Sequence, residues 1–162
     1  MKRLNLGCGP DYRKGWVNVD IRKDIKADIV HNLNKFPYPF KEDEFDITLI
    51  SHTLEHLDYP ERVLKEVVKI CKSGAKLIVE VPHAFSYANA TDMQHRRNFT
   101  ENSFTRKHIM QYGLGALRLR KKVFLYPVNK WKKYIPLKRV LKIFFNGIYD
   151  NLLFEFKIEK EK

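Results

Sequence analysis

The sequence predicts an α/β fold in which a mostly parallel sheet alternates with helices. Two observations lead to this fold class: short apolar runs rich in β-branched residues, and a helical stripe of apolar residues between two of those runs. The runs that predict strands span residues 2–6, 16–20, 28–31, 45–50, 76–81, 117–126 and 152–159. At 162 residues the chain fits one domain with one core, so we expect a single domain over residues 1–162.

The clearest helix lies between the fourth and fifth predicted strands. Asp58 is the expected N-cap, and Glu61 completes a capping-box pattern with Pro60 in the first turn. Apolar residues recur at helical spacing up to Cys71, and Gly74 is the expected stop. Further helices are predicted over residues 101–112 and 136–145, with a long loop over 83–100.

The connection between the first two strands is unusually short. About eight residues join them, whereas a parallel crossover usually takes a dozen or more. Either the first helix is reduced to about one turn, or the second strand is misplaced.

The charge of the chain is concentrated in its last third. The net charge is +12, and residues 102–149 contain no Asp or Glu. Their basic residues are Arg106, Lys107, Arg118, Arg120, Lys121, Lys122, Lys130, Lys132, Lys133, Lys138, Arg139 and Lys142. A cationic surface of this kind attracts anions such as phosphate, nucleic acid, acidic lipid or acidic sugar.

The cysteine content and the N-terminus favour a cytoplasmic protein. Cys8 and Cys71 are too few and too isolated for a disulfide framework or a CxxC metal site, which suits a reducing compartment. The start, MKRLNLGCGP, lacks the apolar stretch of a signal peptide, and no apolar run has the length of a membrane span.

A glycine turn after the first strand is the main indication of function. Gly7 and Gly9 let the backbone turn sharply and approach a ligand, and Asp20 ends the next strand, where an acid can bind ribose hydroxyls. A dinucleotide site would require a third glycine where Tyr12 stands, and an acid about 20 residues on; Asp20 follows Gly7 by 13. The pattern therefore favours an adenosyl ligand without a pyrophosphate.

The chain resembles the class I S-adenosylmethionine-dependent methyltransferases, especially the compact methyltransferase type 11 group. The matching segments are LNLGCGP, GWVNVD, PYPFKEDEFDITLISHTLEHL, VLKEVVKICKSGAKLIVEVPH and HRRNFT, over about residues 3–105. The resemblance implies a Rossmann-like, mostly parallel seven-stranded sheet with an antiparallel C-terminal strand and a shortened first helix. It also implies S-adenosylmethionine as cofactor and methyl transfer to an unidentified acceptor, which the basic surface suggests is anionic.

The resemblance assigns roles to individual residues. Gly7, Cys8 and Gly9 would run beneath the methionine part of the cofactor, and Asp20 would hold the ribose hydroxyls. The other expected cofactor-binding residues are Ile21 and Leu33 beside the adenine, Asn32 in the family's usual Asp position for the adenine amino group, and Ser51 and His52 at the methionine and methyl end.

Methyl transfer needs a base only if the acceptor must lose a proton. The candidate bases are His52, His56, His83 and His95, because histidine titrates near neutral pH. We predict His56 and His83 as the catalytic residues. We expect His95, with Arg96 and Arg97, to close the loop over the site or to meet an anionic acceptor, and we expect no metal ligands.

Three alternatives remain. The first is a module that binds nucleic acid or an anionic membrane surface through the aromatic and basic C-terminal third, holding the cofactor without turnover. The second is a cofactor-binding protein that has lost turnover for other reasons. The third is a zinc protease, because residues 52–56 spell HxxEH, and on a helix His52 and His56 would share one face.

Overall fold

A seven-stranded sheet runs through the centre of the molecule. The computed structural model describes residues 1–126, 130–141 and 147–160. The strands are β1 (Arg3–Leu6), β2 (Val17–Asp20), β3 (Ile29–Val30), β4 (Phe45–Ser51), β5 (Cys71–Pro82), β6 (Leu117–Leu125) and β7 (Asn151–Ile158). Their order is β3-β2-β1-β4-β5-β7-β6. The first five strands are parallel, and β7 pairs antiparallel with both β5 and β6. This arrangement confirms the expected fold class.

Helices occupy little of the described chain. They are α1 (Pro60–Ile70), α2 (Tyr87–Thr91), α3 (Arg106–Gln111) and α4 (Lys138–Leu141). The predicted loop over 83–100 thus contains one short helix, and the helix predicted over 101–112 begins later, where the Thr105 side chain accepts a hydrogen bond from the His108 backbone. Residues 142–145 of the last predicted helix lie outside the described residues. No helix within the described ranges is long and apolar enough to cross a membrane.

The ends of α1 differ from the prediction. Tyr59 is the N-cap and makes no side-chain capping bond, whereas Asp58 forms an ion pair with Arg96. The partner of Asp58 is thus a distant cation and not the helix backbone. The apolar stripe of α1 is as expected, with Val63, Leu64, Val67 and Ile70 buried.

Gly74 does not end the helix as predicted. α1 ends at Ile70, and β5 begins at the next residue, Cys71. Gly74 lies inside β5 with φ +88°, where the pairing jumps from Phe45 with Cys71 to Ile47 with Lys76. The glycine therefore permits an irregularity at the start of the strand, which is the usual reason for a glycine with positive φ in a sheet.

The first crossover lacks even the shortened helix that was expected, because residues 7–16 form turns and contain no helix. Asn18, fully buried in β2, makes side-chain hydrogen bonds to the backbone of this connection. Its Nδ2 donates to the carbonyl oxygens of Arg13 and Trp16, at 3.0 Å each, and its Oδ1 accepts from the Arg13 backbone at 2.9 Å. One satisfied amide thus folds the connection back, which is why β2 lies where the sequence placed it.

The core is built on the buried side chains of the sheet. Leu4 and Leu6 of β1 are fully buried, as are Phe45 and Ile50 of β4. Near the C-terminus, the ring of Phe104 meets Phe154 and Phe156 of β7 edge to face, at 4.8 and 5.3 Å. This packing makes a rigid base for the loops at the carboxyl ends of the parallel strands.

Candidate active site

A cavity of about 350 Å³ opens at the carboxyl ends of the parallel strands. Segments following β1, β2, β3 and β4 contribute to its wall. Its lining residues are Gly7, Gly9, Asp20, Ile21, Arg22, His31, Asn32, Leu33, Asn34, His52, Thr53, His56, Leu57 and Gln94. Ligands of open parallel α/β sheets bind at this edge, and the volume lies in the range of about 300–1,000 Å³ typical of small-molecule sites.

Asp20 is held in place by backbone donors. Gly9 N donates to Oδ2 at 2.8 Å and Arg22 N donates to Oδ1 at 3.0 Å. The residue is only 7% exposed, yet it lines the cavity. Since each carboxylate oxygen can accept more than one bond, both can also accept from a ligand's hydroxyl groups.

The two glycines of the turn have different steric requirements. Both have positive φ, +68° for Gly7 and +49° for Gly9. A Cβ at Gly7 would lie 2.2 Å from the Thr53 hydroxyl oxygen, whereas a Cβ at Gly9 would meet nothing within 4 Å. Gly7 therefore allows β1 and the loop after β4 to touch, and Gly9 leaves open space over the turn.

The predicted adenine-binding residues line the same cavity. Ile21 is 58% exposed there, and Leu33 is buried in its wall. Asn32 Oδ1 accepts a hydrogen bond from Asn34 N at 2.9 Å, so this oxygen already has one donor. It keeps one acceptor position, and the amide nitrogen offers donors.

His52 lies at the cavity between two carboxylates. Its Nδ1 is 3.4 Å from Glu55 Oε1, and its Nε2 is 3.4 Å from Glu80 Oε1. Glu55 and Glu80 raise the pKa of His52 to about 9. His52 is therefore an imidazolium at neutral pH, which favours donating hydrogen bonds over acting as a base.

Two predicted cofactor-binding residues are absent from the cavity lining. Ser51 directs its hydroxyl to the Glu80 carboxylate. Cys8 is buried, with Sγ 3.8 Å from the Lys26 carbonyl oxygen, and burial together with Asp20 raises the pKa of its thiol. Any role of Cys8 toward a ligand therefore belongs to its backbone.

The two predicted catalytic histidines are placed differently. His56 lines the cavity, and its Nδ1 lies 3.3 Å from the Gln94 carbonyl oxygen, which leaves Nε2 for a ligand. His83 is buried and is not among the cavity residues; its Nδ1 accepts from Phe85 N, and its Nε2 lies 3.3 Å from Glu101. Both of its ring nitrogens are thus engaged away from this cavity, and the catalytic role of His83 stays a prediction.

Sequence reasoning missed several lining residues. These are Arg22, His31, Asn34, Thr53, Leu57 and Gln94. Gln94 reaches the cavity because the backbone nitrogens of Arg96 and Arg97 donate to the Glu55 carbonyl oxygen, at 2.8 and 3.0 Å. The segment around His95 thus lies beside the cavity, as expected, but no sequence pattern pointed to this backbone contact.

The geometry contradicts the HxxEH zinc-site hypothesis. That motif requires both histidines on one helical face, but His52 has φ +47° and only Leu54–His56 form a short 3-10 turn. Both ring nitrogens of His52 face carboxylates, and the Glu-His cluster with metal-ligand spacing in the described chain does not include it.

A second cavity, of about 390 Å³, lies between α1 and α3. Leu64, Phe104 and Ile109 line it, with Asp58 and Arg97 at its edge. It contains neither the glycine turn nor Asp20, so we assign the candidate site to the cavity at the strand ends.

Comparisons with known proteins agree with the topology. A family model described as a methyltransferase domain matches residues 4–79. Over this segment the chain is similar to the class I methyltransferases. An S-adenosylmethionine-dependent methyltransferase from Archaeoglobus fulgidus has a similar structure, with a TM-score of 0.70 at 18% identity over 97% of this chain and 86% of that chain.

Two other similarities limit what this match implies about function. The uncharacterized protein MJ1123 of Methanocaldococcus jannaschii is 30% identical over 80 residues, which are 49% of this chain and 38% of that protein. The match therefore spans well under half of that relative's length. The [4+2]-cyclase SpnF has a TM-score of 0.64 at 10% identity, over 99% of this chain and 75% of that chain. One fold thus hosts different reactions, and function must be argued from the site.

The similarity to class I methyltransferases implies S-adenosylmethionine as the cofactor, and the residues of the cavity fit it. Asp20 can accept bonds from ribose hydroxyls, and the space over Gly9 admits a ligand close to the backbone. Ile21 and Leu33 offer apolar surface for a base. The absence of a third glycine agrees with a ligand that has no pyrophosphate.

Proposed function

We propose that this domain binds S-adenosylmethionine in the cavity at the strand ends and transfers its methyl group to an acceptor. The Asp20 carboxylate, fixed by two backbone donors at the edge of the cavity, is the observation on which the proposal rests. The cofactor supplies a methyl group on a positively charged sulfur, which is a good leaving centre. The protein then has to bind the cofactor and the acceptor and to orient them for the transfer.

Charge around His52 suits a cationic cofactor. An imidazolium alone would repel a sulfonium, but Glu55 and Glu80 balance it. His56 remains the candidate base, since its Nε2 is not used by the bond to Gln94. A base is needed only for an acceptor that loses its proton during transfer.

The basic last third of the chain bears on the chemistry of the acceptor. We propose an anionic acceptor, supported by the net charge of +12 and its concentration in residues 102–149. Part of that charge is neutralised internally: Arg118 and Arg120 contact Glu159 at 3.3 and 2.6 Å, and buried Lys132 contacts Asp150 at 2.6 Å. Lysines on β6, at the edge of the sheet, also oppose pairing with other sheets.

Asp20→Ala tests the cofactor proposal. We expect wild-type protein to bind S-adenosylmethionine and its demethylated product in calorimetry, and the variant to lose about 100-fold in affinity, because hydrogen bonds to a charged group contribute about 1.5–3 kcal/mol each. Asp11→Ala is the matched control, since its side chain is 57% exposed and contacts Arg13 outside the cavity. We expect less than a twofold change there.

Two results would overturn the assignment. One is a folded wild-type protein that does not bind the cofactor at millimolar concentration. The other is an Asp20→Ala variant that keeps its affinity and its circular dichroism spectrum. A nicotinamide dinucleotide serves as the competing ligand, and we expect it to bind more weakly because the glycine turn lacks a pyrophosphate site.

A membrane surface is the second candidate, and the segment before α4 favours it over nucleic acid. Trp131, Tyr134 and Leu137 are 63%, 75% and 75% exposed, beside Lys130 and Lys133. Apolar side chains among lysines suit an anionic lipid surface. We expect cosedimentation with phosphatidylserine vesicles that weakens in Trp131→Ala/Tyr134→Ala. Binding to single-stranded nucleic acid with a steep salt dependence would instead support a nucleic-acid-binding surface.

We place the protein in the cytoplasm as a further part of the proposal. Cys8 and Cys71 are both buried and unpaired with each other, which suits a reducing compartment. Fractionation of cells that express the tagged protein would test this placement.

A further inference from the structure

Glu55 has a buried carboxylate whose bonding is incomplete. The residue is 0% exposed, and neither Oε1 nor Oε2 has a hydrogen-bond partner among the residues that the structure describes. His52 Nδ1 lies 3.4 Å from Oε1. A buried carboxylate ordinarily needs bonds to both oxygens or a bound cation.

Two histidines come close to this carboxylate. One ligand atom from each of Glu55, His56 and His95 lies within 4.8 Å of the others. The rings of His56 and His95 meet edge to face at 4.8 Å. His95 comes from the segment between α2 and α3 and reaches the cluster through the bonds of Arg96 and Arg97 to the Glu55 backbone.

Each histidine has one nitrogen oriented by an acceptor and the other one available. His56 Nδ1 lies 3.3 Å from the Gln94 carbonyl oxygen, leaving Nε2, which can act either as a base or as a metal ligand but not as both at once. His95 Nε2 lies 3.5 Å from Asp92 Oδ2, and its Nδ1 is buried without a partner in the described chain. Metal-binding histidines show this pattern, because a carbonyl or carboxylate on one nitrogen fixes the tautomer and points the other at the ion.

We propose that Glu55, His56 and His95 form a binding site for one divalent transition-metal ion, with zinc as the preferred class. Two imidazoles and one carboxylate suit Zn²⁺ better than Mg²⁺, and three protein ligands leave a position open for a further oxygen ligand. Zinc bonds of about 2.0–2.2 Å require the ligand atoms to move somewhat closer than they are.

The site lies at the wall of the cofactor cavity. His56 and Gln94 line that cavity, so the open position of the metal would face it or its rim. Metal binding itself does not depend on methyl transfer. It can therefore be tested on the protein without cofactor or acceptor.

Calorimetry with Zn²⁺ on chelator-treated, dialysed protein tests the proposal. We expect about one ion per chain and a rise in melting temperature when Zn²⁺ is added, because the folded state alone holds the assembled site. Glu55→Gln and His95→Asn should each lower the affinity at least about 100-fold. Mg²⁺ should bind more weakly than Zn²⁺.

Matched variants identify the ligands. His108→Asn removes a histidine outside the cluster, whose Nδ1 faces the Asn102 carbonyl oxygen, and it should keep the wild-type affinity. His52→Asn should also keep stoichiometric binding, which separates this site from an HxxEH site. Circular dichroism checks that each variant is folded. Should Glu55→Gln fail to fold, His95→Asn in the surface loop gives the same test.

Several outcomes would overturn the proposal. These are substoichiometric Zn²⁺ binding, binding that persists in folded His95→Asn, binding lost in folded His52→Asn, and Mg²⁺ binding as tight as Zn²⁺. Cofactor binding by a protein that ignores Zn²⁺ would reject the metal site and leave the proposed function intact.

Discussion

Gly7→Ala is expected to destabilise the protein by about 2–5 kcal/mol. A residue with a side chain pays about 1–2 kcal/mol for the left-handed backbone, and forcing an extra methyl into a packed region costs about 1–3 kcal/mol more. At Gly7 the added Cβ would lie 2.2 Å from the Thr53 hydroxyl oxygen and 2.9 Å from the Thr53 Cβ. Thr53 cannot rotate away from a contact with its own Cβ, so the backbone must shift.

Urea unfolding measures this effect, and Gly15→Ala is the matched control. Gly15 has φ +80° but no neighbour within 4 Å of an added Cβ. The control therefore carries the backbone cost alone, about 1–2 kcal/mol. We also expect Gly7→Ala to weaken cofactor binding, because Gly7 lies in the same turn as Gly9, whose backbone nitrogen holds the Asp20 carboxylate. Equal losses of stability in the two variants would show that the contact with Thr53 does not matter.

The parts of the fold that were predictable depend on local patterns. Apolar runs and the stripe of α1 located the sheet and its main helix, and the glycine turn with Asp20 located the cavity. Most of the predicted cofactor-binding residues line that cavity. Local pattern sufficed because parallel strands bring their carboxyl ends to the same edge of the sheet.

The errors came from long-range contacts that no local pattern encodes. Asp58 has the sequence context of a helix cap, but it pairs with Arg96, 38 positions away. The position of His83 after β5, with its ring nitrogens facing Glu101 and Phe85, depends on contacts of the same kind. Glu55 and His95 are joined only through a loop whose position depends on backbone bonds.

Between β1 and β2, a single side chain holds the connection that a helix usually forms. Asn18 is fully buried and uses both ends of its amide: Nδ2 donates to two backbone carbonyls and to Asp28 Oδ2 at 2.9 Å. Its Oδ1 accepts from Arg13 N and from Asn5 Nδ2, at 2.9 and 3.2 Å. A buried network in which every member is satisfied fixes one conformation.

Asn18→Ala should therefore cost about 3 kcal/mol in the free energy of unfolding. The change leaves Arg13 N and two carbonyl oxygens without their partner, and each unsatisfied buried group costs about 1–3 kcal/mol, less where water can enter. Asn102→Ala, on the exposed loop before α3, should change stability by less than about 0.5 kcal/mol. Because the Asn18 network holds the turn that carries Gly9, we also expect the variant to bind S-adenosylmethionine more weakly even where it is fully folded. A variant as stable as wild type would mean that the turn keeps its shape without the amide, and the short crossover would then need another explanation.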